Sequence, residues 1–149
     1  MRGLRTLLRL PSSERSLAIK TLALVAAIRA ALWILPFRAL NRWFKSWSRV
    51  PFSIPKETPV SRLVWAVRAA SKRIPGATCL TQSLALHFLM TRAGLPSQIR
   101  IGVAKDERSR FKAHAWVEAS DEVYLSAPAE VSGYVTLPSL EGILEHRRL

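Results

Sequence analysis

The chain has 149 residues, 49% of them hydrophobic, which fits one domain with a real core and excludes disorder. Its 23 Lys and Arg stand against 10 Asp and Glu, a formal net charge of +13. Such a charge favours an acidic partner (nucleic acid, an anionic membrane surface or an acidic peptide) without choosing among them.

Pro11-Ser12-Ser13-Glu14 reads as a helix start, with proline, hydroxyl caps and an acid in the first turn. Ser13 to about Leu35 is rich in Ala and Leu, both good helix formers, and Pro36 ends the run. A membrane span needs roughly 20 mostly apolar residues. Lys20 and Arg29 interrupt this one, and a charge near the middle of a span is costly. A helix packed on the domain, or lying on a membrane surface, is expected instead. The apolar run starts late, near Leu17, and no small-residue cleavage pattern follows it. It does not read as a signal peptide. With a lone cysteine, Cys79, and no intramolecular disulfide to form, a cytoplasmic protein is expected, in contact at most with the periphery of the inner membrane.

Phe37, Arg38, Arg42, Trp43, Phe44, Lys45, Trp47 and Arg49 form a second basic, aromatic segment, in which Leu40, Trp43, Phe44 and Trp47 recur at helical spacing and predict a short helix. Pro51, Pro55 and Pro59 then mark a loop. The expected division is a basic helical extension over 1–58 and a core over 59–149. Ser61 to Arg73 is again helical, with Leu63, Val64, Val67 and Ala70 on one face, and Ile74-Pro75-Gly76 breaks it. A helix from about Cys79 to Ala93 follows, closed by Gly94 at a C-cap position. The period then changes. Gln98–Ala104 alternates as a strand, Lys105–Arg110 is a charged turn, Lys112–Ala119 a second strand and Val123–Leu125 a third. Ser120-Asp121 is the hairpin turn between the last two. Leu137–Leu149 reads as a terminal helix. Helices followed by an antiparallel sheet make an α+β pattern.

Cys79 begins a helix, where free N–H groups and the positive end of the macrodipole stabilise a thiolate. The same N–H groups can serve a tetrahedral oxyanion. Most lone cysteines are nonetheless small buried hydrophobes. His114 lies in a strand whose Lys112, His114, Trp116 and Glu118 face one way, and Phe111, Ala113, Ala115 and Val117 the other. The plain alternative is a structural histidine on a half-buried strand. His87, mid-helix, reads as structural, and His146 as solvated near the C-terminus. Cysteine at a helix start, then histidine on a later strand, is the order of papain-like and transglutaminase-like nucleophiles.

A wider set of motifs narrows this. Cys79-Leu80-Thr81-Gln82-Ser83-Leu84-Ala85-Leu86 is followed by Arg92-Ala93-Gly94-Leu95-Pro96, Ile101-Gly102-Val103, and Phe111-Lys112-Ala113-His114-Ala115-Trp116-Val117-Glu118. In order and spacing this run, roughly Pro59 to Leu137, resembles the transglutaminase-like leader peptidases of lasso-peptide biosynthesis. Leu35-Pro36-Phe37-Arg38 is also similar to the stand-alone members. The resemblance implies a transglutaminase-like, papain-like core. It implies a cysteine peptidase that removes the leader from a ribosomally made precursor, with Cys79 as nucleophile and His114 as base. No metal or organic cofactor is called for by that chemistry.

The resemblance also implies a third residue, an acid about a dozen positions past the histidine, and Ser126 stands there. Pairing about Ser120-Asp121 sets Ala127 opposite His114, which leaves Ser126 nearby and its facing open. Glu118 is four strand residues from His114, roughly 13 Å at about 3.3 Å per residue, out of direct reach. Glu130, after Pro128, could fold back. Ser126, a backbone carbonyl or nothing remain as the third member. A fused leader-recognition domain would need roughly 80 further residues. The implied partners are therefore the precursor peptide, a separate small leader-binding protein and the macrolactam-forming cyclase. The basic, aromatic N-terminal third is either a docking surface, for a partner or a membrane, or a core with Trp33, Trp43 and Trp47 inside and a solvated arginine rim. The alternative function is a non-catalytic module that binds nucleic acid or a membrane surface. Its basic residues are scattered and no nucleic-acid-binding signature is present, so no nucleic acid is expected as partner.

Overall fold

A computed structural model describes residues 11–35, 39 and 52–138. The basic, aromatic segment after Pro36 lies outside the described residues, apart from Ala39. So does the terminal helix expected over Leu137–Leu149, apart from its first two positions. The described elements are α1 (Ser12–Ile34), α2 (Val60–Ser71), α3 (Cys79–Arg92), β1 (Gln98–Lys105), β2 (Phe111–Ala119), β3 (Glu122–Tyr124), α4 (Pro128–Val131) and β4 (Val135–Thr136). The expected α+β pattern is thus observed, as four helices and one four-stranded antiparallel sheet among the described residues.

The strands lie in the order β3-β2-β1-β4. The β1–β2 register pairs Gly102 with His114 and Ile99 with Val117. The β2–β3 register pairs Val117 with Tyr124, about the expected turn at Ser120-Asp121. Both turn residues have positive φ, 50° and 65°. Strand β4 and helix α4 were not expected. Two residues of strand and four of helix carry no periodicity to read. They exist because the chain after Tyr124 returns to the free edge of β1, where Thr136 pairs with Gly102 and Leu137 N–H bonds to Ile101 O at 2.8 Å.

Helix α3 lies at the centre. Thr81, Ser83, Leu84, Ala85, Leu86, Phe88, Leu89 and Met90 are buried, nearly the whole circumference. Helices α1 and α2 pack on it and on each other, and β2 and β1 pack on it too. Both ends of α3 are closed, the second by the expected glycine. Thr78 is the N-cap, its hydroxyl accepting from Thr81 N–H at 3.4 Å. At the other end Gly94 has φ +78°, Leu95 N–H reaches Met90 O at 2.8 Å and Gly94 N–H reaches Thr91 O at 3.1 Å. That pair of bonds is the Schellman closure, which a left-handed residue permits. Helix α1 starts differently from expectation. Pro11 itself is the cap residue, and neither serine caps the end by its side chain. The Pro11 carbonyl accepts from Arg15 N–H at 3.0 Å, as in any first turn.

The core joins Val25 and Ile28 of α1 to Leu63 and Val67 of α2, Leu84 and Leu89 of α3, and Ile99 and Val117 of the sheet. Residues on both sides of the boundary expected at 58 therefore share one hydrophobic cluster. Ile54, between the prolines, is buried in it as well. Beside it Phe52 meets Phe88 edge-on at 5.4 Å, and Arg92 Nε donates to Phe52 O at 2.9 Å.

Candidate active site

Cys79 is the first residue of α3 and is half-buried. The first N–H groups of a helix have no partner inside it. Here the Thr78 side chain takes that of Thr81, and the Thr78 carbonyl takes that of Gln82 at 3.0 Å. Cys79 and Leu80 N–H come before both. Thr78 Oγ1 also lies 3.2 Å from Thr81 Oγ1, and Thr81 is wholly buried. The cap is thereby anchored in the core. The sulfur thus sits at the helix start, beside the first N–H groups and the positive end of the dipole.

His114 sits in the middle of β2, half-buried. It shares a sheet face with Trp116, Glu118 and the β1 residues Gly102 and Arg100, whereas Val117 and Ile99 face the helical core. Its ring stacks on Trp116 with centroids 6.1 Å apart and lies 5.6 Å from the ring of Tyr134. Gly102 makes this cluster possible. A Cβ there would lie 2.6 Å from Tyr134 Cβ and 2.8 Å from the far edge of the Trp116 indole. The indole N–H of Trp116 donates to Glu118 Oε1 at 2.9 Å, and Arg100 Nε donates to Glu118 Oε2 at 2.9 Å. Glu118 therefore does not reach His114, as its strand spacing implied. It fixes the plane of the indole on which His114 rests.

His114 Nε2 and Ser126 Oγ are 2.5 Å apart. Strict strand alternation past Tyr124 would have set Ala127, not Ser126, on the face of His114. Leu125 changes this with φ +73°, a left-handed angle that ends the strand and turns the next side chain over. Glu130 does not fold onto the histidine. Its carboxylate accepts from Ala127 N–H at 3.0 Å and closes the start of α4. Ser126 is therefore the side chain within hydrogen-bond distance of His114. Among the described residues Cys79 makes no hydrogen bond to His114, so the pair brought into contact is His114 with Ser126. His87 is tied elsewhere, its Nδ1 lying 2.9 Å from Ser97 Oγ just ahead of β1. Among the described residues no group of three His, Cys, Asp or Glu is arranged to hold a metal ion.

Sequence reasoning missed Tyr134, which follows an unrecognised helix and meets the site only through the β4–β1 edge. It also missed the Trp116–Glu118–Arg100 network. A signal for that one existed, since positions two apart on a strand share a face.

A comparison with family profiles matches residues 22–139 to the transglutaminase-like superfamily. The chain belongs to that superfamily, whose members are often cysteine peptidases or transferases. Curated proteins and solved structures give no significant match.

Proposed function

We propose that this protein is a cysteine peptidase that removes the leader from a lasso-peptide precursor, with Cys79 as nucleophile and His114 as base. The observation that carries the proposal is a coincidence of identity and place. A superfamily that works by cysteine chemistry covers residues 22–139, and the chain has one cysteine, at the capped start of the central helix. The histidine is assigned from the string His114-Ala115-Trp116-Val117-Glu118, which follows the cysteine in the order of the family the chain resembles. His114 has its Nε2 held by Ser126, which leaves Nδ1 as the nitrogen to serve a thiol. Catalytic hydrogen bonds are often long in a free enzyme and tighten only with substrate bound.

In this reading His114 Nδ1 takes the thiol proton as the sulfur attacks the scissile carbonyl. Cys79 and Leu80 N–H groups stabilise the oxyanion. The tetrahedral species collapses, the C–N bond breaks, and His114 returns the proton to the leaving amine, the new N-terminus of the core peptide. The leader is left as a thioester on Cys79. Water, deprotonated by His114, releases it and restores the thiol. Ser126 orients the ring, but its hydroxyl can donate or accept, and it offers the imidazolium a dipole where a carboxylate would offer a full charge. The lasso-peptide assignment rests on the motif string through His114-Ala115-Trp116-Val117-Glu118. With it come the precursor as substrate, a separate leader-binding protein and a macrolactam-forming cyclase that consumes the freed amine.

The test is cleavage of the cognate precursor in the presence of the leader-binding protein. Cys79→Ala is expected to reduce product to background, and His114→Ala to lower the rate by about a hundredfold or more. Cleavage by Cys79→Ala at the wild-type rate would overturn the mechanism. Cleavage of unrelated peptides as fast as the precursor would overturn the substrate assignment and leave the cysteine chemistry standing.

A further inference from the structure

Two exposed stripes on the helical side of the molecule are unused by the site. Along α1 the exposed positions after the first turn are Ser16, Ile19, Lys20, Ala23, Ala27, Ala30, Trp33 and Ile34, and Lys20 turns its ammonium to Ser53 O at 3.3 Å and over the Phe52 ring, leaving an apolar stripe from Ile19 to Ile34. Ile19 is 61% exposed, Trp33 80% and Ile34 71%. This rules out a core role for Trp33. From Ile19 to Ile34 the stripe runs about 22 Å at roughly 1.5 Å per residue. On α2 the outward positions are Arg62, Trp65, Arg68 and Lys72, at successive helical spacings. Arg62 pairs with Glu14 at the start of α1, while Arg29 of α1 packs over Gly76, just past the end of α2. The two helices therefore run side by side in the same direction. An apolar stripe with a tryptophan at its end lies beside a basic stripe with a tryptophan in its middle.

Helix α1 is long and apolar enough to cross a bilayer by length and composition. Its other face makes that reading fail. Val25 and Ile28 are wholly buried against α2 and α3, and a spanning α1 would have to leave that core. With its inner face held in the core, the outer apolar stripe of α1 is left to meet a surface outside the domain.

We propose that the paired outer faces of α1 and α2 dock this protein on an anionic membrane surface. The occupant follows from the chemistry of both stripes together. Nucleic acid would reward the cations but not 22 Å or so of exposed Ile, Ala and Trp, since its outer face is phosphate. A lipid interface rewards both. Aliphatic side chains enter the headgroup–acyl boundary, tryptophan rings sit at headgroup level, and Arg68 and Lys72 meet acidic headgroups. The net charge of +13 adds long-range attraction to the same partner. The proposal is independent of the peptidase reading.

The experiment is flotation of the full chain with phosphatidylcholine vesicles, with and without phosphatidylglycerol, over a salt series. Binding is expected with phosphatidylglycerol only, weakening as salt rises. Trp33→Ser with Ile34→Ser is expected to lower the partition coefficient by about tenfold or more. Arg68→Glu with Lys72→Glu provides a second, electrostatic variant, expected to abolish the preference for phosphatidylglycerol. All four positions face outward, and circular dichroism checks that each variant folds. Equal binding to neutral vesicles, wild-type binding by both folded variants, or tighter binding to duplex DNA than to acidic vesicles at the same salt would each overturn the proposal.

Discussion

Leu125 holds φ +73°, a conformation that costs a non-glycine residue about 1–2 kcal/mol. Such strain persists where the surroundings over-determine it, and it concentrates at functional sites. Here its effect is to bring Ser126 Oγ to His114 Nε2. A neutral hydrogen bond contributes about 0.5–1.5 kcal/mol, and about 1.4 kcal/mol is tenfold in rate. Ser126→Ala is therefore expected to lower kcat for leader cleavage by up to about tenfold, well short of the loss at His114→Ala. A hundredfold loss at Ser126 would mean that the hydroxyl does more than orient the ring. The resemblance pointed to this position, a dozen residues past His114. Its facing was not legible in the sequence, because alternation along a strand carries no information about a residue that leaves the strand.

The elements that present these residues are specified mostly by their own ends. Gly94 at the close of α3 was readable as a single residue with a fixed local role, whereas Thr78 takes its cap role only in the structure. The charged turn between β1 and β2 is equally local. Asp106 accepts from the backbone N–H groups of Arg108 and Arg110 and from Arg110 Nε, each at 2.9 Å. The bond from Arg110 N–H chiefly holds the Asp106 carboxyl below its ordinary range. The contribution to the turn is therefore present above the unfolded carboxylate value, about pH 3.9, and is lost as pH falls through the lower folded value. An NMR titration should show the Asp106 carboxyl and the amides of Arg108 and Arg110 moving together, with a midpoint below about 3.9. A midpoint at or above the ordinary value would contradict the bonded turn. Strand β4 and helix α4 were illegible for the opposite reason. They are too short to have a period, and a distant edge of β1 holds them.

Across the whole molecule, helix α1 is part of the core and also carries the exposed stripe. Ile28 is wholly buried with Leu63 and Leu89. Ile28→Ala should cost about 2–5 kcal/mol in chemical denaturation, within the range for large-to-small core changes. A cost under about 0.5 kcal/mol, ordinary for a surface site, would mean that α1 is a detachable extension. The family match, which begins at residue 22 inside α1, agrees with its inclusion. What the sequence determined by itself was the order of the longer elements from α1 to β3, the glycine that closes α3, and the identity of the lone cysteine and the histidine ahead of Trp116. Those follow from residues within a turn or two of one another, where backbone geometry and capping leave few choices. The tertiary structure alone decided that Ser126 faces His114, that Gly102 admits Trp116 and Tyr134 behind it, and that α1 shares the core of α3. Each of these depends on one left-handed angle or on side chains packed from far along the chain, and no local pattern encodes either.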